Sequence, residues 1–335
     1  MRAGVRRVGY HSRLNRYGCI LESMVRFTVL ASGSHGNCTV VTGGKTRILV
    51  DAGLSCREIF RRMKLAGEDP ALLDAILITH EHADHVGGVS VTARKLGVPV
   101  YFTEATHRGW MRWVAPRPRT SYSQWIEQRR KAAAEAGAEG ESEQALLQLE
   151  AAGQEPARKE NKPAKDPTFL PAVERFTAGQ GFQIGDIAVS PFTIPHDAAD
   201  PVGFVLEAEG VRMGLATDLG YIPPNVKQQL QNLDLLYLES NHDLEMLRGG
   251  PYPWPLKQRV LSRVGHLSNE AAAEFFANDF DGRARYVVLA HLSENNNLPD
   301  LARLSAERAL AARGLLLGEK LLLAEQHQPL SAIAF

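Results

Sequence analysis

One stretch of sequence decides the fold, Thr79-His80-Glu81-His82-Ala83-Asp84-His85. It follows the apolar run at 75–78, whose shortness and β-branched residues predict a buried strand, and a glycine turn follows it. In an extended chain His80 and His82 project to the same side, whereas Asp84 and His85, at the turn, can reach a second centre. Imidazole nitrogens and carboxylate oxygens are ligands of zinc and similar cations. The stretch therefore predicts a metal site, with a solvated polar loop as the alternative.

The pattern His-x-His-x-Asp-His after an apolar strand resembles the signature of the metallo-β-lactamase fold. This resemblance implies an α/β protein with a four-layer αββα sandwich. It also implies that the metals lie at the edge where the two sheets meet. The motif is specific for the fold but does not identify a substrate.

Length and composition set ordinary bounds on the chain. Its 335 residues are 44% hydrophobic, which is enough to bury a large core in one domain or two. The 38 basic and 38 acidic residues give no overall attraction to polyanions, so a nucleic-acid partner needs a local patch. Because no apolar run approaches the roughly 18 residues of a membrane helix, no membrane association is expected.

The cysteines indicate the compartment. Cys19, Cys38 and Cys56 are odd in number and lack Cys-x-x-Cys spacing. This pattern argues against a disulfide framework and against a cysteine zinc site. We therefore expect a cytoplasmic protein.

Two segments are predicted to lie outside the folded core. Residues 1–23 are rich in arginine and lack the apolar region of a secretory signal, so they are either a transit peptide or the product of an upstream start codon before Met24. They are predicted to be a disordered leader. Within the hydrolase domain at 24–335, a low-complexity insertion at about 117–167 has too few aliphatic residues to form a core. Its basic ends either contact nucleic acid or are simply solvated.

Polar residues follow several later strands. His196, after the strand at 191–194, is either a structural histidine or, taken together with the first motif, the third nitrogen ligand of the first centre. Asp218 follows another strand and offers a carboxylate that bridges two metals or, alternatively, caps the next helix. His291 follows the strand at 286–290. Asp51, also at a strand end, is predicted to organise the ligands rather than to bind metal.

These later motifs narrow the resemblance. The chain is similar to the YycJ/WalJ-type branch, metallohydrolases described as 5'-to-3' DNA exonucleases, and to ribonuclease Z. The similarity rests on Ser-Gly-Ser-x-Gly-Asn at 32–37, Pro-His-Asp-Ala at 195–198, Ala-Thr-Asp-Leu-Gly at 216–220, Glu-Ser-Asn-His-Asp at 239–243, Gly-His-Leu-Ser-Asn at 265–269 and Ala-His-Leu-Ser-Glu-Asn-Asn at 290–296. The insertion departs from the family pattern. The loop at 32–37 can cradle a phosphate with its backbone N–H groups, or it is a plain turn.

The resemblance also implies how the ligands are divided between two metal ions. It assigns one ion to His80, His82 and His196, the other to Asp84, His85 and His291, with Asp218 between them. Two cations roughly 3.5–4 Å apart can share a hydroxide and clamp both oxygens of a displacement at phosphorus. A phosphodiester is the substrate that best uses both ions. His and carboxylate ligands accept either zinc or manganese.

Three residues are predicted to be catalytic: Asp84, His266 and Glu239. The resemblance places His266 where it binds a phosphate oxygen or protonates the leaving alkoxide, with Glu239 orienting it. Alternatively, His266 only positions the start of the helix that follows.

The expected function is a two-metal hydrolase of nucleic acid, a 5'-to-3' DNA exonuclease. The alternatives are an RNA-processing nuclease, a thioester or lactam hydrolase of the same fold, and a non-catalytic metal-binding regulator. The sequence leaves the oligomeric state open.

Overall fold

The computed structural model of the chain describes residues 25–115 and 166–335. The predicted leader at 1–23, and all but the last two residues of the predicted insertion at 117–167, lie outside the described residues. The two sheets belong to one compact unit, whose described residues are 25–113 and 170–335. No helix in the described part of the chain is both long enough and apolar enough to cross a membrane.

The fold is built on two seven-stranded sheets. The strands of the first sheet are β1 (Val25–Ala31), β2 (Cys38–Gly43), β3 (Thr46–Val50), β4 (Ala75–Leu77), β5 (Pro99–Thr103), β6 (Ala172–Phe176) and β14 (Ile333–Ala334). Those of the second are β7 (Phe182–Ile184), β8 (Ile187–Thr193), β9 (Val202–Ala208), β10 (Val211–Ala216), β11 (Leu235–Glu239), β12 (Tyr286–Ala290) and β13 (Leu321–Leu323).

Both sheets are mixed, and the parallel parts position the functional residues. The first sheet runs β14-β1-β2-β3-β4-β5-β6, and its strands from β3 to β6 pair in parallel. The second runs β13-β12-β11-β10-β9-β8-β7, with parallel pairing from β10 to β13. Because parallel strands end at the same edge of a sheet, the residues that follow β10, β11 and β12 lie side by side.

A continuous apolar core fills the space between the sheets. Phe27 of β1 packs 5.7 Å from Tyr237 of β11, measured between ring centres. Phe176 of β6 lies 5.8 Å from Phe204 of β9 in the same way. Both pairs join residues of opposite sheets, and all four side chains belong to one buried cluster. Burial of aromatic residues from both faces is a major source of the sandwich's stability.

Helices cover the outer faces of the two sheets. Their bounds are α1 (Cys56–Leu65), α2 (Ala83–Val86), α3 (Val89–Leu96), α4 (Glu104–Val114), α5 (Pro224–Gln229), α6 (Leu244–Gly249), α7 (Trp254–Val260), α8 (Asn269–Asn278) and α9 (Pro299–Ala311). The first sheet is covered by α1 and α3. The second is covered by α8 and α9, through a second buried apolar cluster. The αββα, α/β architecture predicted from the motif is confirmed.

Candidate metal centre

The candidate ligands come from both sheets and converge on one edge of the sandwich. His80 and His82 follow β4, and His85 lies in α2, a single helical turn where the sequence predicted only a turn. His196 and His291 follow β8 and β12 of the second sheet. All seven predicted metal ligands fall into overlapping groups whose ligand atoms lie within 4.8 Å of one another: His80, His82, Asp84, His85, His196, Asp218 and His291.

The first group consists of His80, His82 and His196. Nδ1 of His82 lies 3.1 Å from Nε2 of His80 and 3.2 Å from Nε2 of His196. Ligand nitrogens about 2.0–2.1 Å from a tetrahedral zinc are roughly 3.3 Å apart, so this spacing fits one cation. Burial lowers the pKa of His80 and His196, which favours the neutral form that binds metal. Nδ1 of His196 also lies 3.2 Å from the Gly265 carbonyl, which orients the ring.

The second group consists of Asp84, His85 and His291. Oδ2 of Asp84 lies 3.5 Å from Nε2 of His85 and 3.7 Å from Nε2 of His291. Nε2 of His291 is buried but has no hydrogen-bond partner among the residues that the structure describes. Buried polar atoms are nearly always paired, so this nitrogen fits a cation bound among the three side chains.

Asp218 lies between the groups. One carboxylate oxygen is 3.3 Å from Nε2 of His85, without hydrogen-bond geometry, and the other is 3.2 Å from Nδ1 of His291. Asp218 also forms a group with His80 and His85, so it is shared between both sets of ligands. It is not the cap of the next helix, because Pro223 takes that position at α5.

Charge in the site is balanced by protons. Burial would lower the pKa of His85 and of His291, but the surrounding carboxylates, of which Asp218 contributes most, together outweigh it and raise both pKa values above the usual value. Burial would raise the pKa of Asp218, but His291 and His85 hold it well below its usual range. Without a cation, protons on the two histidines therefore neutralise the carboxylate. A divalent cation can displace those protons, as expected of a metal site.

The backbone at three strand ends is in the left-handed region. The φ angles are 59° at Asp51, 62° at Asp218 and 54° at His291. Such angles are uncommon outside glycine and cost energy, and they cluster at functional sites. At each of these residues the chain turns sharply out of its strand, and Asp218 and His291 thereby face the shared cluster.

Asp51 supports the ligand loop, as predicted. Its carboxylate lies 2.8 Å from Nδ1 of His85, and it accepts hydrogen bonds from the backbone N–H and the hydroxyl of Thr79, both at 2.9 Å. The bond to Nδ1 leaves Nε2 of His85 facing the other ligands. Outer partners of this kind fix the orientation of metal-bound histidines.

Asn37 contacts two of the candidate ligands, which was not predicted from the sequence. Its side-chain nitrogen lies 3.0 Å from Nε2 of His85 and 3.3 Å from Oδ2 of Asp84. Its backbone N–H donates to the Asp84 carbonyl at 2.7 Å. Gly53 permits this close approach, since a Cβ there would lie 1.6 Å from the Asp84 carbonyl oxygen. The available signal was the position of Asn37 at the end of the small-residue loop at 32–37.

Glu239 joins His266 to the ligand cluster. Its Oε1 atom lies 2.8 Å from Nδ1 of His266 and 2.9 Å from Nδ1 of His291. Its Oε2 atom accepts the backbone N–H groups of Leu219, at 2.9 Å, and Leu267, at 3.2 Å. Glu239 is fully buried, whereas 22% of the His266 side chain is exposed. His266 is therefore held at one nitrogen and accessible on the side of the solvent.

Comparison with known proteins identifies the family. The family model described as the metallo-beta-lactamase superfamily matches residues 31–252. The chain belongs to this superfamily. Membership of the superfamily implies that the protein binds divalent metal, and the chain is a metal-dependent hydrolase.

Two relatives resemble the chain over most of its length. Exodeoxyribonuclease YycJ of Bacillus anthracis is 33% identical over 298 residues, covering 88% of this chain and 92% of that protein. Exodeoxyribonuclease WalJ of Streptococcus pneumoniae serotype 2 is 34% identical over 293 residues, covering 88% of this chain and 91% of that protein.

Solved structures agree on the fold. The metallo-beta-lactamase fold protein YhfI from Bacillus subtilis has a TM-score of 0.54 at 16% identity, covering 91% of this chain and 99% of that one. Human tRNase Z, short form, has a TM-score of 0.53 at 15% identity, covering 91% of this chain and 98% of that one.

Proposed function

We propose that this protein is a two-metal phosphodiesterase that degrades DNA as a 5'-to-3' exonuclease. The observation that carries the proposal is the pair of ligand groups sharing Asp218 beside the Glu239–His266 pair. A phosphodiester is the substrate that uses two adjacent cations and a proton donor together. The relatives named exodeoxyribonuclease, at 33–34% identity, support DNA as the substrate.

We assign the ligands as the sequence predicted. His80, His82 and His196 hold one ion, Asp84, His85 and His291 hold the other, and Asp218 is shared. Zinc and manganese both suit these nitrogen and oxygen donors. When bound, such a pair of ions supplies a hydroxide near neutral pH and stabilises the charge that develops on the phosphate.

The chain's own residues orient the reactants and move the proton. Asp84 is partly exposed, with 23% of its side chain accessible, and we assign it the alignment of the attacking water as well as metal binding. Nδ1 of His266 donates to Glu239, so Nε2 is the ring position left for the substrate. Burial would lower the pKa of His266, but Glu239 raises it above the usual value. His266 can therefore carry a proton to the leaving alkoxide at neutral pH.

A substrate panel tests the proposal. The protein, loaded with zinc or manganese, is assayed on single-stranded DNA, double-stranded DNA, RNA and a chromogenic lactam. We expect cleavage of DNA from the 5' end, no lactam hydrolysis, and slower cleavage of RNA. Preferred cleavage of RNA would identify an RNA-processing nuclease instead. Loss of every activity with metal still bound would indicate a regulator.

We also propose that residues 24–335 form the hydrolase domain. β1 begins at Val25, which is buried and pairs with Gly43 of β2, so the described fold starts directly after Met24. A protein that starts at Met24 should therefore keep the melting temperature and turnover of the full chain. A large fall in melting temperature would contradict this.

The cytoplasm is the proposed compartment, which Cys38 and Cys56, both buried and free of disulfides, support.

A further inference from the structure

A proline-rich segment beside the candidate site carries an exposed tryptophan. Trp254, the first residue of α7, is 62% exposed. It lies in the sequence Pro251-Tyr252-Pro253-Trp254-Pro255. Single exposed apolar residues are common and need no explanation of their own. Here, however, alternating prolines fix the backbone, so this side chain is held in solvent at little further entropic cost on binding.

The segment is attached to the loops that form the site. At the end of α7 the Val260 carbonyl accepts the backbone N–H of His266 at 3.0 Å. At the other end the Tyr252 hydroxyl accepts a hydrogen bond from Asn295, in the loop after His291, at 3.4 Å. The seven residues of α7 span about 10 Å. Trp254 is therefore about three base-stacking intervals of roughly 3.4 Å from the end of the helix next to His266.

A stacked cation lies between Trp254 and His266 along the chain. The guanidinium of Arg263 lies 4.0 Å from the ring centre of Tyr221. Tyr221 is three residues after Asp218, and Arg263 is three residues before His266. Within 25–115 and 166–335, Arg263 makes no ion pair, whereas its neighbour Arg259 is paired with Asp197. Arg263 is exposed, so its charge is available to a phosphate group.

We infer that Tyr221, Arg263 and Trp254 bind the unpaired strand of a DNA substrate next to the catalytic edge. Arg263 pairs with a backbone phosphate, and Trp254 stacks on a base some three nucleotides away. Every base has a flat face that an aromatic ring can cover, so this contact does not depend on sequence. In a duplex the bases are already stacked on one another, so this contact is made by a nucleotide that has left the duplex. The inference rests on the proposed function and specifies the form of its substrate.

The test compares Trp254→Ala, Trp254→Phe and Arg263→Ala with the metal-loaded full chain. For Trp254→Ala we expect KM on a single-stranded 20-mer to rise about 10- to 100-fold with little change in kcat, and phenylalanine to restore most of the affinity. Arg263→Ala should raise KM and reduce the salt dependence of binding. Bis(4-nitrophenyl) phosphate is too short to reach Trp254, so its KM should change several-fold less than the KM for the 20-mer. Leu316→Ala, at a residue that is 85% exposed on the loop after α9, is the matched surface control.

A binding measurement separates this inference from the proposed function. Fluorescence anisotropy of a labelled single strand gives Kd whether or not the protein cuts DNA. Equal Kd values for the wild type and Trp254→Ala would overturn the inference, even if both proteins are active nucleases. If Trp254→Ala lost as much activity on the nitrophenyl diester as on the 20-mer, the inference would also be overturned, because Trp254 would then have a structural role. Failure of the wild type to cleave any DNA, with tight binding that depends on Trp254, would instead reject the proposed function alone.

Discussion

Replacement of His291 is expected to remove one of two bound metal ions. The wild type, reconstituted with zinc or manganese and freed of excess metal, should contain two ions per chain. Without the His291 imidazole the second group keeps only Asp84 and His85, whereas the first group keeps all three histidines. Loss of an outer partner alone costs 10- to 100-fold in affinity or activity, so turnover on DNA should fall by at least about 100-fold.

The choice of substitution matters at this position. His291 has a φ of 54°, a conformation that asparagine tolerates better than alanine, so His291→Asn separates ligand loss from backbone strain. His327→Ala is the matched control, since its side chain is 74% exposed and bonds to Glu294 rather than to a ligand. Metal analysis by mass spectrometry that finds one ion or none in the wild type, or two in His291→Asn, would contradict the assignment.

Replacement of His266 should abolish most catalysis while leaving the metals in place. The ring lies beside both groups, with its centre 5.3 Å from that of His196 and 5.2 Å from that of His291, but it is not an assigned ligand. His266→Ala should therefore bind two ions and keep the melting temperature of the wild type. Turnover on DNA should fall by roughly two to four powers of ten, the usual contribution of a positioned acid.

A second substrate distinguishes the two roles of His266. Nitrophenolate leaves without a proton. If His266 is the acid, the substitution should therefore lower the rate of hydrolysis of a nitrophenyl phosphodiester much less than it lowers the rate of cleavage of DNA. Equal losses on both substrates would mean that His266 binds a phosphate oxygen. Unchanged cleavage of DNA would leave it as a residue that only positions the start of α8.

The sequence was sufficient to predict the strands that carry the site, because their signals are local. Gly97 ends α3 and the Ser268 hydroxyl caps α8, and each of these signals lies within a few residues of sequence. Helices α4, α6, α7 and α9 were not predicted. α6 and α7 have only six and seven residues, too few for helical periodicity to stand out, and prolines surround α7. α4 begins directly after β5, and its capping residue, Thr103, is also the last residue of that strand, so the sequence shows no break between the two elements.

The candidate ligands were predictable for a related reason, since each is a metal-binding residue type at the end of a strand. Apart from Asp51, the contacts that hold these ligands in place were not predictable. That Glu239 bonds to His291 as well as to His266, and that Asn37 reaches Asp84, depends on how β11 lies beside β12 and how distant loops approach one another. Such contacts join residues 47 to 52 positions apart, and no local pattern encodes them.

Each of the two ligand groups takes residues from both sheets. The loop after β4, in the first sheet, supplies two ligands to each group, and the second sheet supplies His196 to one group and His291 to the other. Neither half of the sandwich holds three ligands of one assigned group. A newly made chain can therefore acquire its full complement of ions only after the halves have docked. If the assigned ligands hold the ions, we therefore expect a chain whose second sheet is misplaced to bind fewer than two ions and to remain inactive.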